Sequence, residues 1–369
     1  MTSTITSTVS TSIVLGTGNY GLYLAITASG GVQAGNGANA ISAYVSNADL
    51  VNQGSVRGGT GFYNRYTVGG IGGTGVALHD GGTLHNAGSI DGGNGGGSRY
   101  APGGQGGAGV YLSGGSILNT GNITGGNGGT SGLNAGGGGG AGVYLSGGTL
   151  TNAGTISGGA SESGRYPAGD AVQFGRQSAT LVIDPGAVFN GSVVANGPAG
   201  DVLELAGTTA ATLTGLGTQF ENFTTLDFAA GSTWTVDSTL DALDSGERID
   251  GLAPGDAIVL QNFAASGEAY VPGTGLELTS GGNSYTLDIS IGANAALSVS
   301  VAAGNTVIES LAATISNAVT GSVCDAGTLT IANTGSVIPS THGATAVTLN
   351  AAGDVLLNEG VIGGGYGGY

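Results

Sequence analysis

Lysine is absent from this sequence, and cysteine, methionine and tryptophan occur once each. Its six basic residues are all arginine and face 23 acids, for a net charge of -17. Nucleic-acid binding needs basic patches that release counterions from phosphates, so nucleic acid is excluded as a partner, and anionic membrane surfaces are disfavoured for the same reason. The lone Cys324 can close no intrachain disulfide and completes no zinc-ligand set. Without lysine there is no phosphate loop of the GxxxxGK[ST] kind, so glycine runs such as 136–140 read as backbone spacers. No apolar run reaches the length of a membrane span, which predicts no membrane insertion by this segment. The opening MTSTITSTVSTSIVLG has no basic stretch ahead of an apolar one. That predicts export by another signal, or a chain cut from a longer protein.

What remains is glycine and small apolar residues. Glycine accounts for 80 of 369 residues, hydrophobic residues for 40%, and mean hydropathy is +0.22. Disordered chains are poor in hydrophobes and rich in charge, so this chain folds. Its architecture is written in a repeat: LVNQGSVRGG from Leu50, LHNAGSIDGG from Leu84, ILNTGNITGG from Ile117 and LTNAGTISGG from Leu150. Asn52, Asn86, Asn119 and Asn152 therefore recur about every 33 residues. Upstream of each lies a second short apolar stretch, GVYLSGG at Gly109 and Gly142 being identical.

Within one unit the pattern predicts three short strands, 143–145, 149–151 and 155–157, broken by Gly and Asn turns. Alternation points Val143, Leu145, Leu150 and Ile156 to one side and Tyr144, Thr149, Thr151, Thr155 and Ser157 to the other. A single unit buries almost nothing, so units must stack with each strand paired in parallel to its equivalent. The expected fold is all-β, a right-handed parallel β-helix or three-sided β-solenoid. Each coil has a surplus that leaves as a Gly-rich insert, GGTGFYNRYTVGGIGG from Gly58, GGNGGGSRYAPGGQGG from Gly92, GGNGGTSGLNAGGGGG from Gly125 and GGASESGRYPAG from Gly158. All four leave at one corner, so stacking aligns them along one edge. Residues 1–178 read as regular repeats and 179–301 as less regular coils or a β-rich spacer. Residues 302–369 read as resumed repeats, with Asn333 and Asn358 aligned to the earlier asparagines.

The AGVYLSGGTLTNAGTISGG unit at 141–159 resembles the haemagglutinin-like and autotransporter passenger repeats of large Gram-negative surface proteins. RIDGLAPGDAIVLQNF from Arg248 looks like spacers of secreted bacterial proteins that lack an N-terminal signal. The resemblance implies an extracellular or cell-surface location and a role as adhesin, biofilm matrix or surface-layer component, with surface glycan or copies of the chain as partners. Two alternatives are a carbohydrate-active β-helix enzyme acting on polysaccharide and a self-assembling extracellular fibre subunit. An enzyme would need clustered carboxylates in a groove, whereas the acids of the regular repeats are scattered one per coil, so no catalytic residue is assigned.

The candidate surface residues are aromatic and basic. Tyr44, Tyr111 and Tyr144 read as equivalent outward positions with Ala77 interrupting the row, a platform on which sugar rings could stack. Arg65-Tyr66, Arg99-Tyr100 and Arg165-Tyr166 recur inside inserts. Either each Arg stacks on its Tyr and pins a flexible loop, or the pairs line up for an acidic polysaccharide or a partner copy. The recurring asparagines read as a structural ladder of side-chain amides. Asp237, Asp241, Asp244, Glu247 and Asp250 invite calcium near Asp241 and Asp244, but match no calcium-loop spacing and read as solvated. His79, His85 and His342 share no pattern that suggests a metal or catalytic role.

Overall fold

The computed structural model describes residues 2–17, 20–243, 246–271, 273–291, 295–325, 328–340, 344–349 and 354–365. It divides into two compact units, Met1–Val202 with Gln219–Phe223, and Leu203–Thr218 with Thr224–Tyr369.

The first unit is a parallel β-solenoid whose coils each give one short strand to each of three faces. In the coil closest to the consensus these are Val143–Leu145, Gly148–Asn152 and Thr155–Ser157, which matches the strands expected from alternation. Equivalent residues of successive coils are register partners: Leu50, Leu84, Ile117, Leu150 and Leu181 form one column. Val76, Val110, Val143 and Val172 form a second, and Val56, Ile90, Ile123 and Ile156 a third. Every member is buried. Burying one such side chain fully is worth roughly 1.5–3 kcal/mol, so the three columns are the unit's main source of stability.

Beside the first column runs a buried amide ladder. Asn52 Nδ2 donates to Asn86 Oδ1, Asn86 Nδ2 to Asn119 Oδ1 and Asn119 Nδ2 to Asn152 Oδ1, each at 2.8 Å. All four asparagines are at most 1% exposed. Their amides also bond the backbone at the corner: Asn119 Nδ2 reaches Gly121 O, and Asn152 Oδ1 accepts from Gly154 N. The ladder stops where isoleucine takes the same register position, Ile26 before Asn52 and Ile183 after Asn152.

The inserts leave after the third strand of each coil, before the first strand of the next, at one corner as expected, but they are not spacers. Their donors repeat every three residues. Gly58, Gly61 and Asn64 donate to the Asp91, Asn94 and Gly97 carbonyls of the next insert, and Gly92, Gly95 and Ser98 to Thr124, Asn127 and Thr130. The neighbouring donors turn elsewhere: Gly107 bonds Gly93 across its own insert, and Gly93 bonds Gly73 of the previous one. A three-residue period is that of the polyproline-II backbone, which has no internal hydrogen bonds and so offers all of them to neighbours. Glycine is required for space, not for left-handed backbone, since Gly93 and Gly107 are absent from the positive-φ glycines. A β-carbon on Gly107 would collide with the Gly73 carbonyl. The third residue of each triplet carries the side chains, and there Asn94 Oδ1 accepts from Asn127 N and Asn127 Oδ1 from Ala160 N.

The second unit begins as parallel coils, with Ala211–Thr214, Trp234–Ser238 and Ala257–Leu260 paired in order. Beyond them, in the stretch that reads as less regular coils or a β-rich spacer, the pairing is antiparallel. Ala257–Leu260 pairs antiparallel with Asn305–Ala312, Ala295–Ala302 forms a hairpin with Asn305–Ala312, and Gly267–Val271, Gly275–Ser280 and Asn283–Ile291 make an antiparallel meander. Two tight turns set this change. Gly281-Gly282 (φ 59° and 86°) and Ala303-Gly304 (φ 52° and 83°) both have positive φ at both central positions, the geometry that joins antiparallel strands in two residues. The antiparallel part thus runs past the expected boundary at 301. Parallel pairing resumes with Thr314–Ile315 beside Thr328–Ile331 and then Val355–Asn358. Here the asparagine alignment needs correction: Asn358 is level with Ile331, and Asn333 falls beyond the strand. The two extra residues in LTIANTG carry Asn333 out of the ladder position.

Two outcomes follow for the first unit. Asn119→Ala deprives Asn86 of an acceptor and Asn152 of a donor in a dry interior, a cost of about 2–5 kcal/mol that lowers the urea midpoint of this unit. Gly107→Ala separates neighbouring inserts, so the Gly93, Gly107 and Gly126 amides lose hydrogen-exchange protection while Val110 and Val143 keep theirs.

Candidate binding surface

The face built from Val143–Leu145 and its register partners carries a continuous row of rings on its outer side, with one member more than the sequence suggested. Register places Ser42 beside Ala77, so Tyr44 lies two residues further along, level with His79. Tyr44 and His79 stack with centroids 4.5 Å apart and planes within 1°. His79 then leans across to Tyr111 at 5.2 Å, and Tyr111 stacks on Tyr144 at 5.6 Å with planes 8° apart. His79, given no role by its sequence pattern, fills the gap left by Ala77. Its ring Nε2 is buried and has no hydrogen-bond partner among the described residues.

Stacking changes what the row can offer a ligand. Stacked rings cover one another's faces, so Tyr111, with Tyr144 on one side and the tilted His79 on the other, has less free face for a sugar ring than an isolated tyrosine. The row ends at Tyr144, whose register partner in the next coil is Gln173. There the surface opens into a groove of about 410 Å³, lined by Tyr111, Tyr144, Gln173, Thr74, Gln105, Ala108 and Ala141. Its floor is glycine backbone from Gly106, Gly139 and Gly140.

The insert tips hold a second set of rings. Arg65 lies over Tyr66 at 5.5 Å and Arg99 over Tyr100 at 5.4 Å from the ring centres, and the two tyrosines stack at 5.5 Å. Cation–π attraction of about 0.5–1 kcal/mol at such exposed sites is enough to orient a side chain. The bridge Asn64–Ser98–Ser131 puts Gly132 and Leu133 in the next arginine and tyrosine positions, which ends the pattern. Arg165 is exposed, and Tyr166 lines a cleft of about 260 Å³ with Val68, Ile71 and Pro102. Phe62, Tyr63 and Ile71 are exposed on the same edge.

The acids near the suggested calcium site are dispersed into separate roles. Asp237 Oδ1 accepts from Gln261 Nε2 at 2.6 Å, Arg248 Nε bonds Asp250 Oδ1 at 2.8 Å, and Asp241 lies on the short helix Leu240–Leu243. Asp244 and His342 lie outside the described residues. Among the described residues no group of three or more His, Cys, Asp and Glu is placed to hold a metal. Glu247 is not solvated: it is 7% exposed, its Oε2 has no partner among the described residues, and burial raises its carboxyl from 4.5 to about 7.

Two further acids were not singled out by the sequence reading. Asp201 accepts from Ala179 N and Asn196 N, and Asp256 from Trp234 N and Ala253 N. Both are buried at coil corners, where burial raises the carboxyl and the backbone donors lower it again. The recurrence of Gly-Asp before LEL and IVL, at Asp201 and Asp256, was the available signal.

No family model, no curated protein and no solved structure matches the chain.

Because the folded second unit holds a proton on Glu247 that the unfolded chain releases, its stability is greatest below about pH 4.5 and declines as the pH rises through about 7. Glu247→Gln flattens that decline, read as the thermal midpoint across pH 4–8.

Proposed function

We propose that the chain is an exported or cell-surface element, adhesive or matrix-forming, whose first unit holds extended glycan. The observation that carries this reading is the groove beside Tyr144. It combines the ring of Tyr144 at the end of the aromatic row, phenols from Tyr111 and Tyr144 and side-chain amides from Gln105 and Gln173, the set of groups that recognises a sugar ring by its CH face and its hydroxyls. The scaffold suits such work. It is rigid, built from register-locked coils, and presents the same corner again and again. Composition and the resemblance to surface repeats support export.

The enzymatic alternative draws no support from this site, since hydrolysis of a glycosidic bond needs paired carboxylates and none of the residues lining the groove is acidic. Asp170 lies near Glu221, whose charge adds to the burial that raises its carboxyl, but neither is part of that lining.

In co-sedimentation with insoluble polysaccharides, the Tyr111→Ala/Tyr144→Ala double variant is expected to bind at least about tenfold more weakly than the parent, and Tyr66→Ala/Tyr100→Ala to bind like the parent. Equal binding by parent and Tyr111→Ala/Tyr144→Ala, with circular dichroism unchanged, rejects the reading.

A further inference from the structure

The groove beside Tyr144 and the cleft at the insert tips meet at Gln105, which lines both. Between them run the return legs of two inserts, 102–108 and 136–141, which present no side chain larger than glutamine. Six residues of polyproline-II backbone at about 3.1 Å each make this a trough roughly 19 Å long, closed at one end by Tyr111 and Tyr144 and at the other by Tyr166, Val68 and Ile71.

Its floor has a definite chemistry. Gly103, Gly104, Gly106 and Gly107 donate to Ala135, Gly96, Gly138 and Gly93, and Gly137, Gly139 and Gly140 donate to Gly129, Pro167 and Gly126. Three of these amides are taken by a neighbouring insert and four within their own, so much of the floor offers Cα–H surface, while Gln105, Ala108, Gly138 and Ala141 donate no backbone bond among the described residues and punctuate it with amides. A ligand that fits is flat, bears CH groups on its faces and hydroxyls on its edges.

Charge narrows the choice. No residue lining either half of the trough is ionisable at neutral pH, and the chain as a whole carries -17. A polyuronate would find no cation on the trough and a repulsive field around it. Arg65 and Arg99 lie over the tip tyrosines and are not part of the lining.

From these observations we infer that the trough is an extended subsite for a neutral, equatorially linked pyranose chain, running from Tyr144 across the glycine floor past Gln105 to Tyr166. This rests on the glycan-binding reading and deepens it: it names the sugar class and adds Tyr166 to the site.

The test is calorimetric titration with cellobiose, cellohexaose and a hexameric galacturonate, on the parent and on Tyr166→Ala and Gln105→Ala, whose side chains lie outside the coil core. Cellohexaose is expected to bind about tenfold tighter than cellobiose and at least about tenfold tighter than hexagalacturonate at the same ionic strength. Tyr166→Ala shrinks the advantage of the hexamer over the dimer to about twofold while cellobiose affinity holds, and Gln105→Ala, which removes a side chain lining both halves, weakens both sugars. A hexamer advantage untouched by Tyr166→Ala overturns the extended subsite, and galacturonate binding as tightly as cellohexaose overturns its neutrality. Polysaccharide binding that depends on Tyr111 and Tyr144 but shows no cellohexaose affinity overturns this inference and leaves the broader reading standing.

Discussion

Register between successive coils is the constraint on which the first unit depends. Side chains alternate between interior and solvent along each short strand, so a slip of one residue would exchange Leu150 for Thr151 and empty the core. Backbone hydrogen bonds alone do not forbid such a slip, because a parallel ladder is uniform along its length. The asparagines do. A buried amide finds both its partners only when the residue above and the residue below are also asparagine, so Asn52, Asn86, Asn119 and Asn152 lock four coils in phase. Columns of leucine, isoleucine and valine supply stability, and the amides supply uniqueness.

With phase fixed, everything outside the core is also brought into line. Tyrosines near one strand fall into a stack, and inserts of nearly equal length fall edge to edge. The inserts have almost no apolar side chains to bury, and glycine loses more conformational freedom on folding than any other residue. Their order is held by the density of backbone hydrogen bonds, each worth about 0.5–1.5 kcal/mol net, and that density is reached only because adjacent backbones touch where a β-carbon would be. The glycine content of the chain is thus an interior-packing requirement, displaced from the core to the edge.

Much of this was legible in the residues. The strands around Leu145, Leu150 and Ile156, the common corner of the inserts and the asparagine ladder all follow from a repeat with alternating polarity. The insert network was legible too, in the three-residue spacing of Gly92, Gly95, Gly103 and Gly106, but glycine-rich segments read by composition look like spacers. Two antiparallel hairpins carried their signal in Gly281-Gly282 and Ala303-Gly304, between alternating runs, and alternation alone does not tell parallel from antiparallel. The place of His79 was not legible, since whether a ring at the end of a strand leans toward its neighbour depends on the corner that follows it. Burial of Glu247 was equally hidden: counting acids by proximity in sequence says nothing of which one turns inward.

The insert layer has a mechanical consequence. Each arm is bonded along its length to the arms on either side, with bonds lying across the direction in which a ligand at the tip would pull. Such a load is shared by many bonds in shear and cannot open them one after another as a zipper would. A surface held by this edge under flow would give way first in the contact with its ligand, leaving the arms intact for the next encounter.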